Sequence, residues 1–215
     1  MVPILLRILF IGNSLTAGNN LPAVLEALAP LAGAKVEAEM VAFPDHSLED
    51  HWNRPEARRA IESGRWDFVV LQQGPSTLPE SRRLLRQYTK LFDAEIRKAG
   101  ARTALYAVWT PSMRVDDIPR VHNSYVLAAE DVDGLLLPVG KAWMAAWRRD
   151  KNLKLYGVDG FHPSSLATYL AALVTLEAMT GRSVVGIASP FSSIDPATVR
   201  VLQEAASEAV GRTSP

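Results

Sequence analysis

The stretch Ile4-Leu5-Leu6-Arg7-Ile8-Leu9-Phe10-Ile11, leading directly into Gly12-Asn13-Ser14-Leu15-Thr16, is apolar at every position but Arg7 until the glycine. A strand with one wet face alternates polar and apolar side chains. One covered on both faces does not, so this run predicts an interior strand of a parallel sheet. Outward from it the period switches repeatedly. A helix is predicted from about Pro22 to Leu31, with Gly33 near its end, and then a strand over Lys35–Ala42 whose alternation places it nearer a sheet edge. Ser47 is the expected cap of a helix running toward Gly64. Trp66–Gln73 reads as a buried strand, Glu80–Lys98 as a long amphipathic helix ending at Gly100, and Thr103–Trp109 as another strand. Thr110–Pro119 is irregular. Helices follow over Arg120–Glu130, Lys141–Arg149, Ser164–Met179 and Ala197–Val210, with a short fifth strand, Gly134–Val139, between the first two.

Each right-handed crossover between parallel strands must return over the sheet, so this alternation places helices on both faces. The expected fold is one α/β domain over residues 1–215, a three-layer α/β/α sandwich with about five parallel strands. Functional loops in such sheets gather beyond the carboxyl ends of the strands. Ser14, Gln73 and Trp109 each follow a strand there, so their loops face one edge.

The 23 basic and 23 acidic side chains cancel, which removes the electrostatic footprint of a nucleic-acid or anionic-membrane partner. Cysteine is absent, excluding a disulfide framework and any thiolate nucleophile or metal ligand. The apolar start is too short to span a bilayer and reaches Gly12 without a cleavage-type region. It therefore reads as a strand rather than a signal peptide, and a soluble cytoplasmic protein is the default expectation.

Ser14 sits at a strand-to-helix turn, where Gly12 permits a tight bend and the following amides can hold a developing negative charge. That fragment alone also reads as a helix-capping serine. Asp159-Gly160-Phe161-His162-Pro163 adds a base and an acid. The carboxylate can bend back to the imidazole Nδ1–H and leave Nε2 for a nucleophile, Gly160 easing the turn and Pro163 suiting the start of a helix. The plainer reading is a turn aspartate and an exposed loop histidine. His46, His51 and His122 lack metal-ligand spacing and read as helix-surface or capping residues. Trp109 either walls an acyl or sugar pocket or packs in the core. Trp143 and Trp147, one helical turn apart, read as buried.

Together, Phe10–Thr16 and Asp159–Pro163 resemble the first and last blocks of the SGNH, or GDSL-type, hydrolases, with Asn13 where that family often has its name-giving aspartate. The order and spacing of the intervening strands extend the resemblance over most of the chain. It implies a flavodoxin-like SGNH fold with Ser14 as nucleophile, His162 as general base and acid, and Asp159 orienting the imidazole. It implies no metal and no organic cofactor. The middle blocks depart from the pattern. Ala42-Phe43-Pro44-Asp45-His46-Ser47-Leu48 lacks the glycine whose amide the family places in its oxyanion hole, and Pro44 has no N–H, so Asp45 inherits that role. In Leu71-Gln72-Gln73-Gly74-Pro75-Ser76-Thr77, Ser76 stands where the family has an asparagine donor. This segment looks like the Gln-Gly-Glu-Ser of some carbohydrate O-acetyl esterases without its glutamate, which makes Gln73 the expected side-chain donor. The implied activity is ester hydrolysis through an acyl-enzyme, releasing a short acyl group from a carbohydrate or similar small-molecule ester. A lipid esterase or thioesterase with the same triad, and a non-catalytic α/β binding protein with a degraded oxyanion hole, are the alternatives.

Overall fold

The computed structural model describes residues 4–211; residues 1–3 and 212–215 of the expected 1–215 domain lie outside the described residues. Five parallel strands, β1 (Ile4–Gly12), β2 (Ala34–Ala42), β3 (Phe68–Leu71), β4 (Arg102–Tyr106) and β5 (Leu135–Leu137), form one sheet in the order β2-β1-β3-β4-β5. β1 is interior. Its Ile8 is in register with Ala38 on one side and Phe68 on the other, and Ile8, Leu9, Phe10 and Ile11 are all buried, which is why the run does not alternate. β2 forms an edge, and the Glu26 carboxylate accepts its Ala38 N–H at 2.8 Å, leaving one fewer open donor for another chain.

The helices are α1 (Ser14–Ala17), α2 (Leu21–Leu28), α3 (Leu48–Trp52), α4 (Pro55–Ser63), α5 (Pro79–Lys98), α6 (Ile118–Glu130), α7 (Val139–Arg149), α8 (Ser165–Thr180) and α9 (Pro196–Val210). α2, α7, α8 and α9 pack together on one side of the sheet; α3, α4, α5 and α6 cover the other. α8 is buried without interruption from Ala167 to Glu177, as a helix must be when α2, α7 and α9 pack around it. This is a three-layer α/β/α fold. Among the described residues no helix is long and apolar enough to cross a membrane.

Local chemistry moves several boundaries. The helix expected over 47–64 is broken, because Arg54 precedes Pro55 and adopts the extended backbone that proline imposes on its neighbour (φ −116°, ψ 150°). The helix that begins near Pro22 gives way after Leu28 to a 3-10 turn, Ala29–Ala32, containing Pro30 and closing at Gly33 with φ +69°. β4 ends at Tyr106, yet Ala107, Val108 and Trp109 remain buried beyond the ladder; apolar pattern reports burial, not pairing.

Candidate active site

β1 stops at Gly12 and the chain turns immediately into α1, with Asn13 as its N-cap. Asn13 Oδ1 accepts the Leu15 N–H at 3.1 Å, and Asn13 O accepts those of Thr16 and Ala17 at 3.0 Å each. Ser14 is the first residue of the turn, and its own N–H has no acceptor among the described residues. Beneath lies a polar layer. The buried Gln72 carboxamide accepts from Asn13 N and Thr16 Oγ1, both at 2.8 Å, and donates to Asn13 Oδ1 at 3.0 Å and Gln73 O at 2.7 Å. Asn13 Nδ2 in turn donates to His46 O at 3.0 Å. His51 is not at the surface as expected: it is buried, with Nε2 2.7 Å from Gly12 O. Burial holds its pKa below the usual histidine value, so the neutral ring donates through Nε2–H.

The second half of the site is the loop between α7 and α8. Asp159 Oδ1 accepts the backbone N–H groups of Phe161 and His162 at 3.0 Å each, which turns its other oxygen, Oδ2, to within 2.5 Å of His162 Nδ1. His162 Nε2 stands 2.9 Å from Ser14 Oγ. Gly160 makes this possible with φ +69°, and a Cβ there would meet Ser112 Oγ at 2.6 Å. The loop is fastened from outside by Ser112 N–H to Gly160 O at 2.8 Å, and from within by Gly157 N–H to His162 O at 2.7 Å. Asn19, just past α1, donates to Pro163 O at 2.9 Å and so ties the two halves together. The Asp159 carboxyl is held to about 2, first by the His162 ring N–H and then by the Phe161 and His162 backbone N–H groups. The arrangement is a relay of an ionised carboxylate, an imidazole tautomer fixed with its proton on Nδ1, and a serine hydroxyl facing the free Nε2.

A cavity of about 270 Å³ opens beside Ser14. Asn13, Leu15, Asp45, Gln73, Gly74 and Phe161 are among its lining residues. The Asp45 N–H, like that of Gly74, has no acceptor among the described residues. Asp45 adopts a left-handed backbone, φ +60°, the conformation a glycine takes without strain. Two sequence-based expectations need correction. Gln73 lines the cavity, but both protons of its Nε2 are engaged, by Ser76 Oγ at 2.8 Å and Ser81 O at 3.1 Å, so its side chain is not a free oxyanion donor. Trp109 walls no pocket: it is fully buried, stacked on Trp143 at 4.1 Å between centroids, and its Nε1–H donates to Phe161 O at 2.8 Å. Its place is behind the Asp159–His162 loop, as a support.

Gln72 and Tyr125, whose hydroxyl accepts the Gln73 N–H at 3.1 Å, were not singled out in the sequence. The one available signal was a doubled glutamine at the end of an apolar strand. Among the described residues no group of three His, Cys, Asp or Glu side chains stands close enough to hold a metal ion.

No protein-family model and no curated protein sequence matches the chain. Solved structures do. A protein from Slackia heliotrinireducens, described as an SGNH hydrolase, is 30% identical with a TM-score of 0.66, over 81% of this chain and 98% of that one. A DUF4886 family protein from Bacteroides uniformis superposes with a TM-score of 0.81 at 20% identity, over 96% of this chain and 95% of that one. A catalytic mutant of an acetylxylan esterase from Geobacillus stearothermophilus gives a TM-score of 0.63 at 14% identity, over 84% and 97%. The last two share the fold.

Proposed function

The chain belongs to the SGNH hydrolase family, and from that premise we propose that it is a serine esterase working through an acyl-enzyme on Ser14, releasing short acyl groups from a carbohydrate or similar small ester. The observation that carries this reading is the relay from Asp159 through His162 to Ser14, with steps of 2.5 and 2.9 Å. His162 Nε2 takes the Ser14 proton as Oγ attacks the ester carbonyl. The resulting imidazolium is stabilised by Asp159, and its proton passes to the leaving alcohol. Water then enters and attacks the acyl carbonyl as it gives a proton to the same nitrogen; the acid is released as that proton returns to Ser14 Oγ. The free N–H groups of Ser14, Asp45 and Gly74 are the donors available to the oxyanion, and all three residues line the cavity beside the hydroxyl.

The short-acyl preference rests on size. The cavity of about 270 Å³ lies below the range of about 300–1,000 Å³ usual for drug-sized ligands, and its wall is mostly apolar, with Leu15, Pro75, Leu84 and Phe161 among the residues that line it, which suits a small acyl chain. The polar Asp45, His46 and Ser47 border it and suit an alcohol rich in hydroxyls. The test is hydrolysis of p-nitrophenyl esters from acetate to octanoate, with fluorophosphonate labelling of Ser14. Ser14→Ala and His162→Ala are expected to lower kcat by roughly 10⁴-fold or more, with acetate preferred over octanoate. Unchanged turnover in either variant would sink the triad, and faster octanoate turnover would favour a lipid esterase or thioesterase.

A further inference from the structure

Gln72 is 0% exposed, and both hydrogens and both lone-pair directions of its carboxamide are in use. Gly12 is shaped to it: a Cβ at that position would lie 2.5 Å from Gln72 Oε1 and 2.8 Å from Thr16 Oγ1. The partners are what give the residue its interest. Oε1 holds the Asn13 N–H, one peptide before the Ser14 amide, and Nε2 holds both Asn13 Oδ1 and Gln73 O. Asn13 Oδ1 is also the acceptor for Leu15 N–H, so Gln72 fixes the cap that orients the nucleophile turn. Through Asn13 Nδ2 the same tie reaches His46 O, the residue after Asp45. On the third strand, Gln73 O additionally accepts the Tyr125 hydroxyl at 2.5 Å, which anchors the peptide leading to Gly74. Two neighbouring carboxamides, Gln72 and Asn13, thus cross-link the three loops that present the unbonded Ser14, Asp45 and Gly74 amides.

We propose that Gln72 is a positioning residue for the oxyanion hole: it touches no substrate, and acts by holding the three loops so that their amides keep a common aim. The chemistry favours a carboxamide here because only a group with two donors and two acceptors can serve Asn13 N–H, Thr16 Oγ1–H, Asn13 Oδ1 and Gln73 O together. This inference rests on the esterase reading above. Donors that need no reorganisation stabilise the transition state more than the ground state, so loosening them lowers kcat and leaves substrate binding nearly intact.

The experiment compares wild-type protein with Q72M, which keeps the volume and removes every hydrogen bond, and Q72E, which keeps the acceptors and replaces the two donors by an oxygen. Thr103→Val is the control: it removes a buried hydrogen bond to Asp93, 2.6 Å long, near the amino-terminal end of β4, whereas this tie lies beyond the carboxyl end of β3. Fluorophosphonate labelling and p-nitrophenyl acetate hydrolysis by the wild type come first, and their absence overturns the esterase reading itself. With an active wild type, Q72M and Q72E are expected to lose about 10- to 100-fold in kcat, with KM within about 2-fold and the midpoint of the pH profile unmoved, because His162 and Asp159 are untouched. T103V is expected to lose thermal stability with kcat within about 2-fold. Q72M or Q72E folded by near-UV circular dichroism with wild-type kcat, or with a change confined to KM, overturns the proposal. So does failure of both to fold, which would make Gln72 a requirement of the fold and not of the reaction.

Discussion

Asp159 and His162 leave 48% and 44% of their side chains exposed, so solvent screens their attraction and geometry must do most of the work. The carboxylate of Asp159 is nevertheless held to about 2, led by the His162 ring N–H. A carboxylate whose folded-state pKa is depressed contributes stability that is present above its unfolded value, about 3.9, and is lost as pH falls through the folded value. For Asp159 that window is about pH 4 to 2. Asp159→Asn is expected to reduce kcat by roughly 10³–10⁴-fold by disturbing the imidazole tautomer, measured as p-nitrophenyl acetate turnover across pH. A kcat within 10-fold of wild type would assign the relay to His162 alone. Asp45 offers the opposite experiment. Its left-handed backbone, φ +60°, costs a non-glycine residue about 1–2 kcal/mol, and its carboxylate sits on the loop that offers an amide to a developing anion. In Asp45→Gly the relief of that strain and the extra freedom of the unfolded chain oppose each other, so stability is expected to stay within about 1 kcal/mol. Removal of the negative charge is expected to raise kcat several-fold, most at low salt; a lower kcat would mean that the carboxylate itself assists.

Among the elements, α3 shows how a cap serves a site. Ser47 Oγ accepts the Asp50 N–H at 3.3 Å, while Asp50 Oδ2 accepts the Ser47 N–H at 2.8 Å and the Ser47 hydroxyl at 2.6 Å. These bonds fix the point at which the Asp45–His46 loop enters the helix, and they hold the Asp50 carboxyl below its usual value. Ser47→Ala is expected to cost about 1 kcal/mol in chemical denaturation; no loss of stability would show the cap to be redundant. The same scale explains what the sequence disclosed. The hydrophobic run of β1 and the cap at Ser47 are local patterns, and local patterns survive in a one-dimensional reading. The Asp159–His162 contact is local too, three residues apart. Gln72 was illegible because its partner Asn13 lies 59 residues away, and nothing near a buried glutamine says what it will meet. Gln73 misled for the related reason that a donor can be recognised in sequence while its acceptors, Ser76 and Ser81, are chosen by the fold of the loop.

Across the whole molecule, Ser14 and His162 are separated by 148 residues, and no local structure can join them. The sheet order brings the loops after β1 and β3 side by side, and His162 stands just ahead of α8, which packs against α2, α7 and α9. The Ser14–His162 contact is therefore a property of the completed fold. Leu202→Ala, in the buried face of α9 and remote in sequence from both blocks, is expected to cost about 2–5 kcal/mol. Its urea midpoints, read by circular dichroism and by fluorophosphonate labelling, are expected to fall together. If labelling were lost well before the backbone signal, the site would be an independently melting unit. Trp109, finally, couples this architecture to light. Its indole lies against Trp143 and is hydrogen-bonded to the carbonyl of Phe161, next in sequence to His162. On the proposed acyl-enzyme reading, a shift of that loop on acylation of Ser14 is expected to change the indole fluorescence, which stopped flow with colourless esters would read.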